Sequence, residues 1–152
     1  MPSILEKFPD AHLQIVGEGE DYTVLEGIIK EKKLGSKIEL IGKIDHDELI
    51  FYYSSCDLYI SASTFEVCPV PTLEAMACGK PLALSNIEPH REMINASKAG
   101  KIFSKSNPEE ILTVVSEVFQ DQENLGTLGR KFTEAHDWSI ISKQMAEIFE
   151  SV

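Results

Sequence analysis

Short β-favouring runs alternate with helical stretches from one end of this chain to the other. His12-Leu13-Gln14-Ile15-Val16, Lys37-Ile38-Glu39-Leu40-Ile41, Leu58-Tyr59-Ile60-Ser61, Pro81-Leu82-Ala83-Leu84 and Lys101-Ile102-Phe103 read as strands, most of them closed by glycine or other turn residues. Residues 3–8 read as a helix ended by Pro9. Tyr22, Leu25, Ile28, Ile29 and Leu34 recur at helical spacing, and Asp45 with Glu48 makes a capping-box start for a helix through Ser54. Thr72 to Cys78 is a helix favoured by Pro71 in its first turn, Glu88 to Ile94 a shorter one. Asn107-Pro108 caps a helix to about Phe119, with Glu109 and Glu110 at its positive end. Helices at about 122–135 and 138–150 follow. Parallel strands need a crossover between them, so this order predicts an α/β fold: a Rossmann-like parallel sheet flanked by helices.

The chain has 152 residues, 43% of them hydrophobic, and no linker, repeat or low-complexity run, so residues 1–152 are expected to form one domain. A formal net charge of -11 excludes a large nucleic-acid footprint, which needs clustered Lys and Arg. Three cysteines, Cys56, Cys68 and Cys78, are odd in number and lack CxxC or Cys/His ligand spacing, so neither a disulfide framework nor a zinc site is expected. A reducing cytoplasm fits that usage. No signal-peptide pattern and no apolar run long enough for a membrane span is read in the sequence, and peripheral contact with a membrane through a further domain stays open.

Chemistry concentrates between Glu66 and Glu74, where a strand exit runs into a helix start. In α/β sheets the crevice at the carboxyl ends of the strands is where ligands bind. A carboxylate repels anions but accepts charge-assisted hydrogen bonds from hydroxyls. Phosphates want donors instead, and the N–H groups near Thr72, Leu73 and Glu74 at the helix start are the expected ones. Pro69 and Pro71 carry no N–H, which restricts the cradle to residues such as Val67, Cys68, Val70, Thr72 and Leu73.

Glu66 and the run Glu74-Ala75-Met76-Ala77-Cys78-Gly79-Lys80-Pro81 resemble the retaining glycosyltransferases of the GT-B fold often called family 4 or group 1. Pro9 to Gly19, Ile41-Gly42-Lys43-Ile44, Asp57 to Ser63, Ser85-Asn86 and His90-Arg91-Glu92 match in order and interval, so the likeness covers almost the whole chain. It implies the C-terminal, donor-binding domain of a transferase in glycan or polysaccharide synthesis. The donor would be a UDP- or GDP-sugar acting as substrate, with no separate cofactor and no metal. Glu66, as the catalytic residue, would contact the sugar hydroxyls and Glu74 the ribose, with backbone of the intervening residues toward the diphosphate. Gly17 would form a wall near the nucleotide and Ile44 would lie against the base.

The resemblance also brings departures. Val67 stands where many members have glycine, and the family's first strand, its Arg/Lys loop and its N-terminal acceptor domain have no counterpart here. Strands beside a missing central one would expose backbone, which motivates an expected homodimer or swapped segment. Two other readings stay open: a GT-B sugar-nucleotide epimerase fragment, and a non-catalytic nucleotide-sugar or protein-interaction module.

Apart from the resemblance, Cys68 is expected to pack as a small thiol or act through its backbone, because no His or Asp partner is evident. His90 and Arg91 are expected on a helix surface. Trp138, Ile140, Ile141, Met145, Ile148 and Phe149 share a face expected to pack into the core.

Overall fold

A computed structural model describes residues 1–151. In chain order the elements are α1 (Pro2–Lys7), β1 (Leu13–Val16), α2 (Tyr22–Glu31), β2 (Ile38–Gly42), α3 (His46–Ser55), β3 (Tyr59–Ser61), α4 (Val70–Ala77), β4 (Leu82–Ser85), α5 (Glu88–Ser97), β5 (Gly100–Phe103), α6 (Pro108–Gln120), α7 (Gln122–Ala135) and α8 (Trp138–Glu150). The alternation read from the sequence is therefore present, and every strand pair is parallel. The chain divides into two compact units, Met1–Leu49 and the part from Ile50 onward. Its described strands form two sheets, β1-β2 and β3-β4-β5.

In the first unit β1 pairs with β2 from Leu13 opposite Ile38, with an irregularity between Ile15 and Val16. The Gly17 N–H donates to the Gly42 carbonyl at 2.8 Å, closing the carboxyl ends of the two strands together. Both glycines have positive φ, +128° and +77°, so an L side chain at either would be strained. No residue of this unit is buried.

The second unit has a dry centre. β4 lies between β3 and β5, and all four of its residues are buried. Ala75 and Met76 of α4, Leu82 and Leu84 of β4, and Ala99 form the core, with Tyr53, Tyr59, Leu73, Met93 and Phe132 packed around it. Leucine and alanine on the central strand are what a parallel strand covered on both faces requires. Two close approaches depend on the absence of a side chain. A methyl placed at Gly126 of α7 would sit 2.1 Å from the Gly79 carbonyl oxygen, and one at Gly100 of β5 would sit 2.0 Å from that of Leu82. The first contact seats α7 against the turn that ends α4, the helix carrying Glu74. α6 starts as its sequence predicts, with the Asn107 side chain accepting from the Glu109 and Glu110 N–H groups at 3.1 and 3.3 Å.

α8 departs from expectation. None of its residues is buried; Trp138 is 82% exposed and Phe149 74%. Its amphipathic spacing is genuine, but no described element covers the apolar face, so periodicity marked a helix without marking a core helix.

Candidate functional site

Glu66 lies in the loop between β3 and α4, and Glu74 lies on α4 one turn past its start. Both are half-buried. Each carboxylate is held by a hydroxyl from its own unit: Ser63 Oγ donates to Glu66 Oε1 at 2.7 Å, and Tyr53 Oη donates to Glu74 Oε2 at 2.9 Å. Such hydrogen bonds to an ionised acceptor are short and strong, and they fix the direction of the remaining lone pairs.

Tyr59, at the start of β3, ties the two acids to one neighbourhood. Burial comes first in raising its phenol above the usual value, and the negative charges of Glu66 and Glu74 push the same way, partly offset by the nearby hydroxyls of Thr72 and Ser61. Both carboxylates therefore lie within electrostatic reach of the Tyr59 phenol. The Tyr53 phenol is raised well above 10.0, first by burial and then by its hydrogen bond to Glu74.

Part of the expected anion cradle already has backbone partners. Val70 N–H donates to the Cys68 carbonyl at 2.8 Å, and the Thr72 and Leu73 N–H groups both reach the Pro69 carbonyl, at 2.9 and 3.3 Å. Thr72 is also buried. The Val70, Thr72 and Leu73 N–H groups are thus already engaged by the carbonyls of Cys68 and Pro69. The N–H groups of Glu66, Val67 and Cys68 have no hydrogen-bond partner among the described residues. They sit on the exposed arc of the same loop, where Val67 is 84% exposed.

Cys68 is exposed rather than packed, and the part it plays in the turn is through its carbonyl. His90 is fully buried, not on a helix surface, whereas neighbouring Arg91 is exposed and donates to the Asn86 side chain at 2.7 Å. Gly17 and Ile44 belong to the first unit, Gly17 at the exposed end of β1 and Ile44 half-buried after β2. Glu66, Val67, Cys68, Val70, Thr72, Leu73 and Glu74 are brought together by one loop and one helix of the second unit. Among the described residues no group of three His, Cys, Asp or Glu side chains is placed to hold a metal ion, and no helix is long and apolar enough to cross a membrane.

Sequence reasoning missed Ser63, Tyr53 and Tyr59. Ser63 stands three residues before Glu66, but that spacing ordinarily marks side chains that bond backbone N–H groups at a helix start, and no helix starts here, so the hydroxyl–carboxylate pair left no distinctive signal. Tyr53 had none either, since it reaches Glu74 from α3 across the fold.

With this geometry in place, the relatives decide the family. The model for "Glycosyl transferases group 1" matches residues 1–135. The chain belongs to that family. Alpha-monoglucosyldiacylglycerol synthase of Acholeplasma laidlawii is 29% identical over 125 residues, which are 82% of this chain and 31% of that protein. Among solved structures, sucrose-phosphate synthase from Thermosynechococcus elongatus superposes with a TM-score of 0.83 at 24% identity, over 98% of this chain and 40% of that one. The pneumococcal O-GlcNAc transferase GtfA, solved in complex with UDP and GlcNAc, gives 0.82 at 20% identity, over 97% and 31%. These likenesses show the GT-B glycosyltransferase fold. The chain spans less than half the length of the curated relatives it matches.

Proposed function

We propose that residues 66–74 form the sugar-and-ribose end of a nucleotide-diphosphate-sugar site in a retaining glycosyltransferase. What supports the reading most directly is that Glu66 and Glu74 stand on one loop and the helix it enters, each oriented by its own hydroxyl partner. Two pre-oriented carboxylates on either side of unengaged main-chain donors match a ligand that is a diol at both ends and an anion between them. Glu66 takes the hydroxyls of the sugar, Glu74 those of the ribose, and the N–H groups of Glu66, Val67 and Cys68 take the diphosphate.

In the intact enzyme the acceptor hydroxyl, on a glycan or polysaccharide precursor, is supplied from outside these residues. The bond from the anomeric carbon to the diphosphate breaks as the acceptor oxygen bonds to the same face. The acceptor proton passes to the departing diphosphate oxygen, so configuration is kept. The protein contributes positioning and electrostatic stabilisation of the leaving group.

Isothermal titration of the chain with UDP-glucose and GDP-mannose tests this. One of them should bind weakly. Glu66→Gln should weaken the nucleotide sugar about tenfold but spare the free nucleotide, and Glu74→Gln should weaken both about tenfold, the loss of one charge-assisted hydrogen bond. Absence of binding by all UDP- and GDP-sugars, or equal affinity in both variants, would reject the assignment.

A further inference from the structure

The buried imidazole of His90 is not used by the chemistry above, and its contacts run toward it. His90 is 0% exposed at the first turn of α5. Its Nδ1 lies 3.0 Å from the Ser85 carbonyl oxygen and 3.2 Å from Ser85 Oγ, at the carboxyl end of β4. Ser85, also 0% exposed, sends its own hydroxyl proton to the Ser63 carbonyl at 2.6 Å. Ser63 in turn spends its hydroxyl proton on Glu66 Oε1 at 2.7 Å.

The direction of this chain follows from donor and acceptor inventory. A carbonyl can only accept, and the Ser85 hydroxyl proton is already committed to Ser63, so Nδ1 must carry the proton that joins the ring to Ser85. The Ser85 carbonyl then serves two donors, Nδ1–H and the Ile87 N–H at 2.9 Å. His90 Nε2 is left buried with no hydrogen-bond partner among the described residues. A hydroxyl that both accepts and donates is polarised by each neighbour, which stiffens the whole path.

We propose that His90 is a positioning residue for Glu66, acting through Ser85 and Ser63: it pins the Ser63 main chain from the buried side while the Ser63 side chain aims the carboxylate. The role in donor binding rests on the function proposed above. The relay itself does not, and it is measurable without any ligand.

The substitution pair that tests it uses the two ring nitrogens. Asparagine places an amide donor about where Nδ1 stands, whereas glutamine reaches the Nε2 position and leaves Ser85 without its donor. Long-range ¹H–¹⁵N spectra of the unsubstituted chain should show a protonated Nδ1; an unprotonated Nδ1 would overturn the relay before any variant is made. The ¹³C carboxyl resonance of Glu66 should shift in His90→Gln and in Ser85→Ala but stay near its original position in His90→Asn. An unmoved Glu66 resonance in folded Ser85→Ala and His90→Gln would also overturn it. In titrations, His90→Gln should lose about fivefold in affinity for the nucleotide sugar and nothing for the free nucleotide, with His90→Asn restoring the loss. Equal losses for sugar-bearing and free nucleotide would mark a merely structural histidine. If the unsubstituted chain binds no nucleotide sugar, the functional reading fails while the two spectroscopic arms still judge the relay.

Discussion

Residues 1–49 and the residues from Ile50 onward are built from the same strand–helix units, yet they bury their chains to different degrees. In the first unit β1 and β2 pair only with each other, and neither α1 nor α2 contains a buried residue. In the second, β4 has a partner on each side, and its four residues, the inner face of α4 and Val114, Val115, Ser116 and Val118 of α6 are sealed from solvent. A two-stranded ribbon covered on one side is marginal by itself, while three strands packed under helices are not. The difference teaches where rigidity is available. The loop carrying Glu66 and the helix carrying Glu74 spring from the sealed unit, where neighbouring side chains hold each rotamer.

The widest contrast is expected from one kind of substitution made in both units. Gly126→Ala would drive a methyl into the Gly79 carbonyl, and Gly100→Ala would drive one into Leu82. Each should cost about 3 kcal/mol, the upper end of the usual overpacking range, because the obstruction is backbone rather than a movable side chain. Gly27 lies inside α2 of the open unit, and a methyl there meets nothing within 4 Å. Gly27→Ala should therefore stabilise by roughly 0.5–1 kcal/mol, the helix preference for alanine alone. Urea denaturation of the three variants checks this. A loss at Gly27, or tolerance at both Gly100 and Gly126, would erase the distinction between the units.

That distinction also separates what the sequence made legible from what it hid. Strand and helix order depends on local periodicity, so the element order was readable, and Asn107 announced its cap through neighbours two and three residues away. The glutamate-bracketed loop was readable because its motif is contiguous. Burial of His90 was not: Glu88, Arg91 and Glu92 make the segment look like a solvated face, and only β4, folded beneath it, explains the exception. The Gly79–Gly126 contact and the reach of Tyr53 to Glu74 join distant segments and leave no local mark. The exposed face of α8 shows the converse, a local pattern with no described tertiary consequence.

Tyr53 sharpens the comparison at the border of the sealed unit. Tyr53→Phe removes the hydroxyl that orients Glu74, and should cost about 1 kcal/mol at neutral pH. Its pH dependence has a definite sign. The folded phenol titrates above 10.0 while the unfolded one titrates near it, so its stabilisation is intact below pH 10 and declines as pH rises beyond that. The phenylalanine variant should show a shallower alkaline loss in urea midpoints measured from pH 8 to 11. Tyr59, raised as well, supplies part of the slope that remains. Identical slopes in both proteins would mean that Tyr53 has no special environment.

The smallest effect belongs to α8, which sits in the second unit by sequence but shares with the first the lack of any buried residue. With little packing to hold it, its first turn should depend on its cap. Asp137 accepts from the Ser139 N–H at 2.8 Å, and the hydrogen bonds of Ser139 hold its carboxyl below the usual 3.8. A depressed carboxylate stabilises above the unfolded value, so the cap is fully present above pH 3.8 and fades as pH falls through the lower, folded value. Amide exchange at Ser139, Ile140 and Ile141 should quicken relative to β4 amides on acidification, and Asp137→Ala should show the faster exchange already at neutral pH. Exchange at these amides as slow as in β4 would mean that α8 is held by packing after all.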